Sequence, residues 1–126
     1  MRRPEIMKVE NTEIVYLDFS GLKKKEDIIQ QIEVFASYIR KQHFNSLYTI
    51  TNLGDMHFNT DIYNLFVNYV KANNPHVKMS AVIGLKGLMN IFYKGFIALT
   101  GRNVKVCSSK EEAIHELISS NISQAV

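Results

Sequence analysis

Val77-Lys78-Met79-Ser80-Ala81-Val82-Ile83, followed directly by Gly84-Leu85-Lys86-Gly87, is the stretch on which the fold turns. A short apolar run closed by glycine has the length of a buried strand and is too short for a helix. Gly84 and Gly87 then bound the start of a helix that carries Leu88 to Leu99 and ends near Gly101, the usual place for a left-handed cap. Val104 to Cys107 follows as a further strand. Strand, helix, strand in that order is the unit of a parallel sheet joined by right-handed crossovers.

Toward the N-terminus the same alternation repeats. Leu47 to Thr51 is a strand candidate, and Asn59 or Thr60 can cap a helix carrying Ile62, Leu65, Phe66, Tyr69 and Val70 to about Asn73, where Pro75 blocks continuation. Lys24 to Gln42 places Ile28, Ile32, Phe35, Ala36 and Ile39 on one helical face, with Gln30, Glu33, Ser37 and Arg40 opposite. Glu5 to Val9 and Glu13 to Phe19 read as a hairpin broken at Glu10-Asn11-Thr12. Beyond Cys107, Ser109 with Glu112 is a capping-box pattern opening a last helix with Ala113, Ile114, Leu117 and Ile118. The expected fold is α/β, a five-stranded mixed, mostly parallel sheet with four helices in the order β-β-α-β-α-β-α-β-α. Residues 1–126 form one domain, its core spanning about residues 5–118, with a frayed C-terminal tail from Ser119 and a frayed start at Arg2-Arg3.

Composition is that of a globular chain, with 46% apolar and 21% charged residues and a net charge of +3. Lys23-Lys24-Lys25 reads as a solvated approach to a helix, and no nucleic-acid partner is expected. Cys107 is the single cysteine, so an intrachain disulfide and a cysteine-cluster metal site are both excluded. No run reaches about 18 apolar residues, so no transmembrane segment is expected and a cytoplasmic location is the default. In that setting the glycosylation match Asn121-Ile122-Ser123 carries little weight.

The element order, with Val77 to Leu88 continuing to Leu99-Thr100-Gly101-Arg102-Asn103, resembles the STAS-like, or SpoIIAA-like, domains, above all the small stand-alone bacterial members described as STAS and CRAL-TRIO-like. The likeness covers roughly Glu5 to Ile118. It implies a protein-binding or ligand-binding domain. Phosphorylatable members carry a serine in the turn after the third strand, whereas the matching stretch here is Thr51-Asn52-Leu53-Gly54-Asp55-Met56. Thr60, near the following helix start, is the remaining candidate phosphoacceptor, and helix capping accounts for it equally well.

Chemistry-bearing motifs are sparse. His43, His57, His76 and His115 lie in no metal-ligand spacing, and Cys107 ends a buried strand, where a packed inert thiol is the simpler reading. Gly84-Leu85-Lys86-Gly87 has the form of an RNA-clamping loop in the wrong β-α context. No Walker loop or G-x-G-x-x-G fingerprint occurs. No catalytic residues, cofactor or metal are therefore expected, and the chain reads as a non-catalytic binding module, not an enzyme.

The third helix is the anomaly. At 100° per residue, its apolar side chains sweep an arc of about 240°, far wider than the roughly 100° a helix on one sheet face needs. Leu88, Phe92, Phe96 and Leu99 are expected to hold it to the sheet. Met89, Tyr93 and Ile97, with Lys86 at the helix approach, are the candidate interface or ligand-facing residues. A neighbouring helix of the same domain accounts for the extra width most simply, and two functional readings stand beside it: a protein-interaction module, self-associating or partner-binding through this helix, or a small apolar-ligand or lipid-binding domain in which the helix lids a pocket.

Overall fold

The computed structural model describes residues 1–102 and 104–125, with the side chains at positions 88 and 122–125 outside the described set. In chain order the elements are β1 (Glu5–Val9), β2 (Thr12–Asp18), α1 (Lys25–Ile39), β3 (Leu47–Asn52), α2 (Thr60–Asn73), β4 (Val77–Ile83), α3 (Leu88–Thr100), β5 (Val104–Cys107) and α4 (Lys110–Ala125), with a 3-10 turn over Asn74–His76. The fold is α/β with a five-stranded mixed sheet and four helices, as the sequence pattern predicts. Strands lie side by side in chain order, β1-β2-β3-β4-β5. β1 runs antiparallel to β2, and every other neighbour pair is parallel.

The opening hairpin turns on Glu10 and Asn11, whose φ values of 49° and 66° are both positive. Two central residues in the left-handed region make the turn whose twist suits a two-residue hairpin. From β2 onward each strand returns beside its predecessor, and three right-handed crossovers in one direction stack their helices on one face. Val15, Leu17 and Phe19 accordingly pack with α1, α2 and Met89 of α3, around a Phe19 ring that meets Phe35, Phe66 and Tyr69 edge-on at 5.1, 4.9 and 6.1 Å. The opposite face, with Ile14, Ile50, Ala81 and Cys107, is covered by Ala113 and Leu117 of α4. Central β3 is consequently buried on both sides at Leu47, Tyr48, Thr49 and Ile50.

Both chain ends are tied down more firmly than the sequence suggests. Arg2 is not frayed: its backbone is held by the buried Gln31 side chain, and its guanidinium donates to the Asp18 carbonyl at 3.1 Å. α4 likewise runs on past Ser119 to Ala125. The cause is Asn121, which accepts from Tyr48 Oη at 2.7 Å and donates to Thr12 Oγ1 at 2.8 Å. At the start of α4, Glu112 N donates to Ser109 Oγ at 3.1 Å, but the Glu112 carboxylate reaches Ser108 instead of Ser109. Asn59, not Thr60, caps α2, accepting from Ile62 N at 2.9 Å.

α3 packs chiefly against a neighbouring helix of the domain, its backbone lying close to α2. Phe92 stacks beside Tyr63 at 4.8 Å and Phe58 at 5.7 Å, and Phe96 faces Tyr63 at 6.5 Å. Leu99, expected against the sheet, is 55% exposed because the helix leans on α2 and turns that side outward. Leu88 and Asn103, both part of the expected pattern, fall outside the described side chains and residues respectively.

Candidate functional site

A cavity of about 100 Å³ lies between β3, β4, α2 and α3. Alternation along the strands decides its sheet wall. Thr49, Thr51, Ser80 and Val82 point into it, while Tyr48, Ile50, Ala81 and Ile83 turn to the α4 side and pack there. The helix wall is apolar, formed by Phe66, Met89, Phe92 and Phe96, with Met56 and Phe58 supplied by the loop before α2. Phe58, Leu85, Phe92, Tyr93 and Phe96 are each half-buried, so the cavity borders solvent between α2 and α3.

Polar groups gather at one end. Thr49 Oγ1 and Ser80 Oγ, neighbours across the parallel β3–β4 pair, hydrogen-bond to each other at 2.9 Å. Arg102, immediately after the left-handed cap Gly101, sends its guanidinium under α2. Nη1 donates to Ser80 Oγ at 3.3 Å, Nη2 to the Val70 carbonyl at 3.2 Å and Nε to Asn74 Oδ1 at 2.7 Å. The Val70 bond adds a second donor to a carbonyl in the last turn of α2 that the Asn74 N–H also reaches, so Arg102 serves that helix as a C-terminal cation. No carboxylate forms an ion pair with it among the described residues. Burial pushes its pKa down to about 10, partly opposed by Tyr69, and leaves it charged at neutral pH.

Tyr69, one helical turn before Asn73, points its hydroxyl into the same region. That hydroxyl is buried and makes no hydrogen bond. Its pKa is driven well above the usual tyrosine value by burial, with Arg102, then Arg40 and the Asn73 side chain pulling it back. The Asn73 carboxamide oxygen accepts from Arg40 Nε at 3.1 Å. Arg102 is therefore the cation in the lining of this apolar cavity, and Arg40, exposed on the surface, acts on Tyr69 from outside it. A second, shallower recess of about 310 Å³ lies beyond Arg102, bordered by Lys78 and Lys105.

The residues singled out from the sequence divide. Met89, a candidate interface or ligand-facing residue, is 8% exposed and sits in the core and cavity wall, because α3 presents that side inward. Tyr93 lines the cavity and donates to the Val104 carbonyl at 2.6 Å. Ile97 is half-buried and lies outside the cavity lining. Lys86 stands apart from the cavity, paired with Asp55 at 3.9 Å on the surface. Thr60 is exposed in the first turn of α2. His57 and His115 are exposed, His76 shares a 2.8 Å contact with the Gln42 carbonyl, and Cys107 is buried with its thiol pKa raised by that burial and by Glu112.

Sequence reasoning missed the polar end. Tyr69 sits on the apolar face of an amphipathic helix and reads there as core. Arg102 follows a helix-ending glycine and reads as a loop cation. Only the burial of both, next to Ser80, distinguishes them. Among the described residues no group of histidine, cysteine and carboxylate side chains is arranged to hold a metal ion, and no helix is long and apolar enough to cross a membrane. No family model matches the chain, and no curated protein matches it either.

Proposed function

We propose that this chain is a non-catalytic binding domain of the STAS-like kind whose ligand is a small apolar or amphiphilic molecule held between α3 and the sheet. The observation that carries the reading is the cavity itself: an apolar chamber of about 100 Å³ between α2, α3 and the sheet. Cavities of this order take a small apolar molecule in place of water, as an engineered chamber of about 150 Å³ takes benzene. The over-wide apolar arc of α3 is consistent with the same reading, since Met89, Phe92 and Phe96 face the chamber in addition to neighbouring side chains. Extraction of the purified protein into organic solvent, followed by mass spectrometry, tests it. A co-purifying small apolar molecule, lost when Phe92 is changed to tryptophan to fill the chamber, is expected; an empty chamber that accepts no apolar probe by NMR overturns it.

A second reading, self-association through α3, is favoured by Ile91 and Leu99, which are 72% and 55% exposed. They lie about 80° apart on the helix, within one contact stripe. Sedimentation of the protein beside Ile91→Glu and Leu99→Glu decides this reading, which predicts a dimer that both substitutions convert to monomer.

A further inference from the structure

The polar end of the cavity has a chemistry that the apolar walls do not require. Arg102 is half-buried, and a cation drawn that far from water normally has an acidic partner, since an unpaired charge in a low-dielectric site is costly. Arg102 has hydroxyl and carbonyl acceptors instead, and they occupy three of the five N–H groups a guanidinium carries. One N–H on each terminal nitrogen is left without an acceptor among the described residues. Tyr69 adds a buried O–H that donates to nothing. No carboxylate pairs with Arg102 among the described residues, and the other charge acting on Tyr69 is a second cation, Arg40, held by Asn73 at 3.1 Å. Unspent donors, positive charge and no protein acceptor describe a place for a ligand anion.

Both Arg102 and Tyr69 line the chamber whose remaining surface is almost wholly apolar. We infer that the ligand is an apolar monocarboxylate, its carboxylate at Arg102 and Tyr69 and its hydrocarbon part between Met89, Phe92 and the sheet. A carboxylate matches two N–H groups on different terminal nitrogens of one guanidinium and still offers a lone pair to a phenol. A dianionic head group fits less well, because its second charge has no second buried cation in the lining. The chamber volume sets the tail. Scaled from the benzene-sized chamber of about 150 Å³, a volume near 100 Å³ takes on the order of four non-hydrogen atoms, a short acyl chain.

This inference rests on the ligand-binding reading above, and its test separates the two. Hexanoate, 1-hexanol and hexylamine share one tail and differ in the head group. Titration of the whole protein with each, followed by amide NMR and thermal shift, should show hexanoate binding at least ~10-fold tighter than hexanol, the order expected of a charge-assisted hydrogen-bonded pair. Hexylamine should be weakest. Arg102→Gln should erase the preference for hexanoate over hexanol, and Tyr69→Phe should weaken hexanoate several-fold while leaving hexanol unchanged. Equal binding of hexanoate and hexanol by the unaltered protein overturns the carboxylate site and leaves the apolar chamber standing. Binding of none of the three overturns both. Should Arg102→Gln fail to fold, the hexanoate–hexanol comparison on the unaltered protein decides alone.

Discussion

The Gln31 carboxamide, wholly buried on α1, clasps the backbone of Arg2 from both sides, accepting from its N–H at 3.2 Å and donating to its carbonyl at 2.8 Å. The pair mimics one rung of a sheet ladder. A polar side chain in the middle of an amphipathic helix is thereby satisfied by a segment that sequence periodicity leaves without structure.

Removing residues 1–3 should therefore cost more than the loss of a free end. The Gln31 amide would be left buried without partners, a penalty of about 1–3 kcal/mol. Chemical denaturation of the shortened chain checks this. Combining the truncation with Gln31→Met should recover most of the loss, because neither half of the clasp is then left unsatisfied.

Gly84 holds a second tight contact. Its φ of +85° lies in the left-handed region, and a Cβ placed there would sit 2.7 Å from Gly54 Cα and closer still to Gly54 N. The backbones after β3 and β4 touch at this point, fixing the loop that carries Met56 and Phe58 to the cavity rim. Gly84→Ala should destabilise the fold by roughly 2–4 kcal/mol, strain and displacement adding together. Gly101, at φ 69° and ψ 7° in the left-handed helical region with open space around it, should lose only about 1 kcal/mol on the same change. Equal losses at the two glycines would show that the Gly84–Gly54 approach is not the limiting contact.

The alternation of strands and helices was legible because glycine and proline punctuate it: Gly84, Gly87, Gly101 and Pro75 stand at element ends. The seating of α3 was not legible. An apolar arc wide enough to satisfy either the sheet or a neighbouring helix leaves the phase of the helix undetermined by its own sequence. The extension of α4 was hidden for a different reason. Ser119-Ser120-Asn121 has no apolar period, and the contacts that order it come from Tyr48 and Thr12, 73 and 109 residues away in the chain. Long-range hydrogen bonds leave no local signature.

The seating of α3 makes two substitutions diverge. Phe92 is half-buried between Phe58 and Tyr63, so Phe92→Ala should cost about 1–3 kcal/mol, below the ~3–5 kcal/mol of a wholly buried phenylalanine. Leu99→Glu, on the outward side, should change the stability of the monomer by no more than about 0.5 kcal/mol. Thermal unfolding at low protein concentration compares them. If Leu99→Glu proves as damaging as Phe92→Ala, α3 lies against the sheet and not against α2.

Tyr69 offers the sharpest test, because its hydroxyl costs stability in the empty protein. It is buried, unbonded and flanked by Arg102, so replacing it by phenylalanine removes an unsatisfied donor without changing the shape of the core. Tyr69→Phe should raise stability by about 1 kcal/mol near pH 7. The pH dependence gives an independent sign. The folded pKa lies above the unfolded value of 10.0, so above pH 10.0 the unfolded chain releases this proton while the folded chain retains it. The Tyr69 contribution is therefore complete below that pH and is lost as pH rises, by up to about 1.4 kcal/mol per pH unit. Arg102, lowered to about 10, acts in the opposite direction over the same range but is present in both proteins. The stability gap between Tyr69→Phe and the unaltered chain should thus widen from pH 9 to pH 11 in denaturation experiments. A gap that stays constant over that range would mean that the hydroxyl reaches water in the folded state and is not the sequestered donor on which the carboxylate site depends.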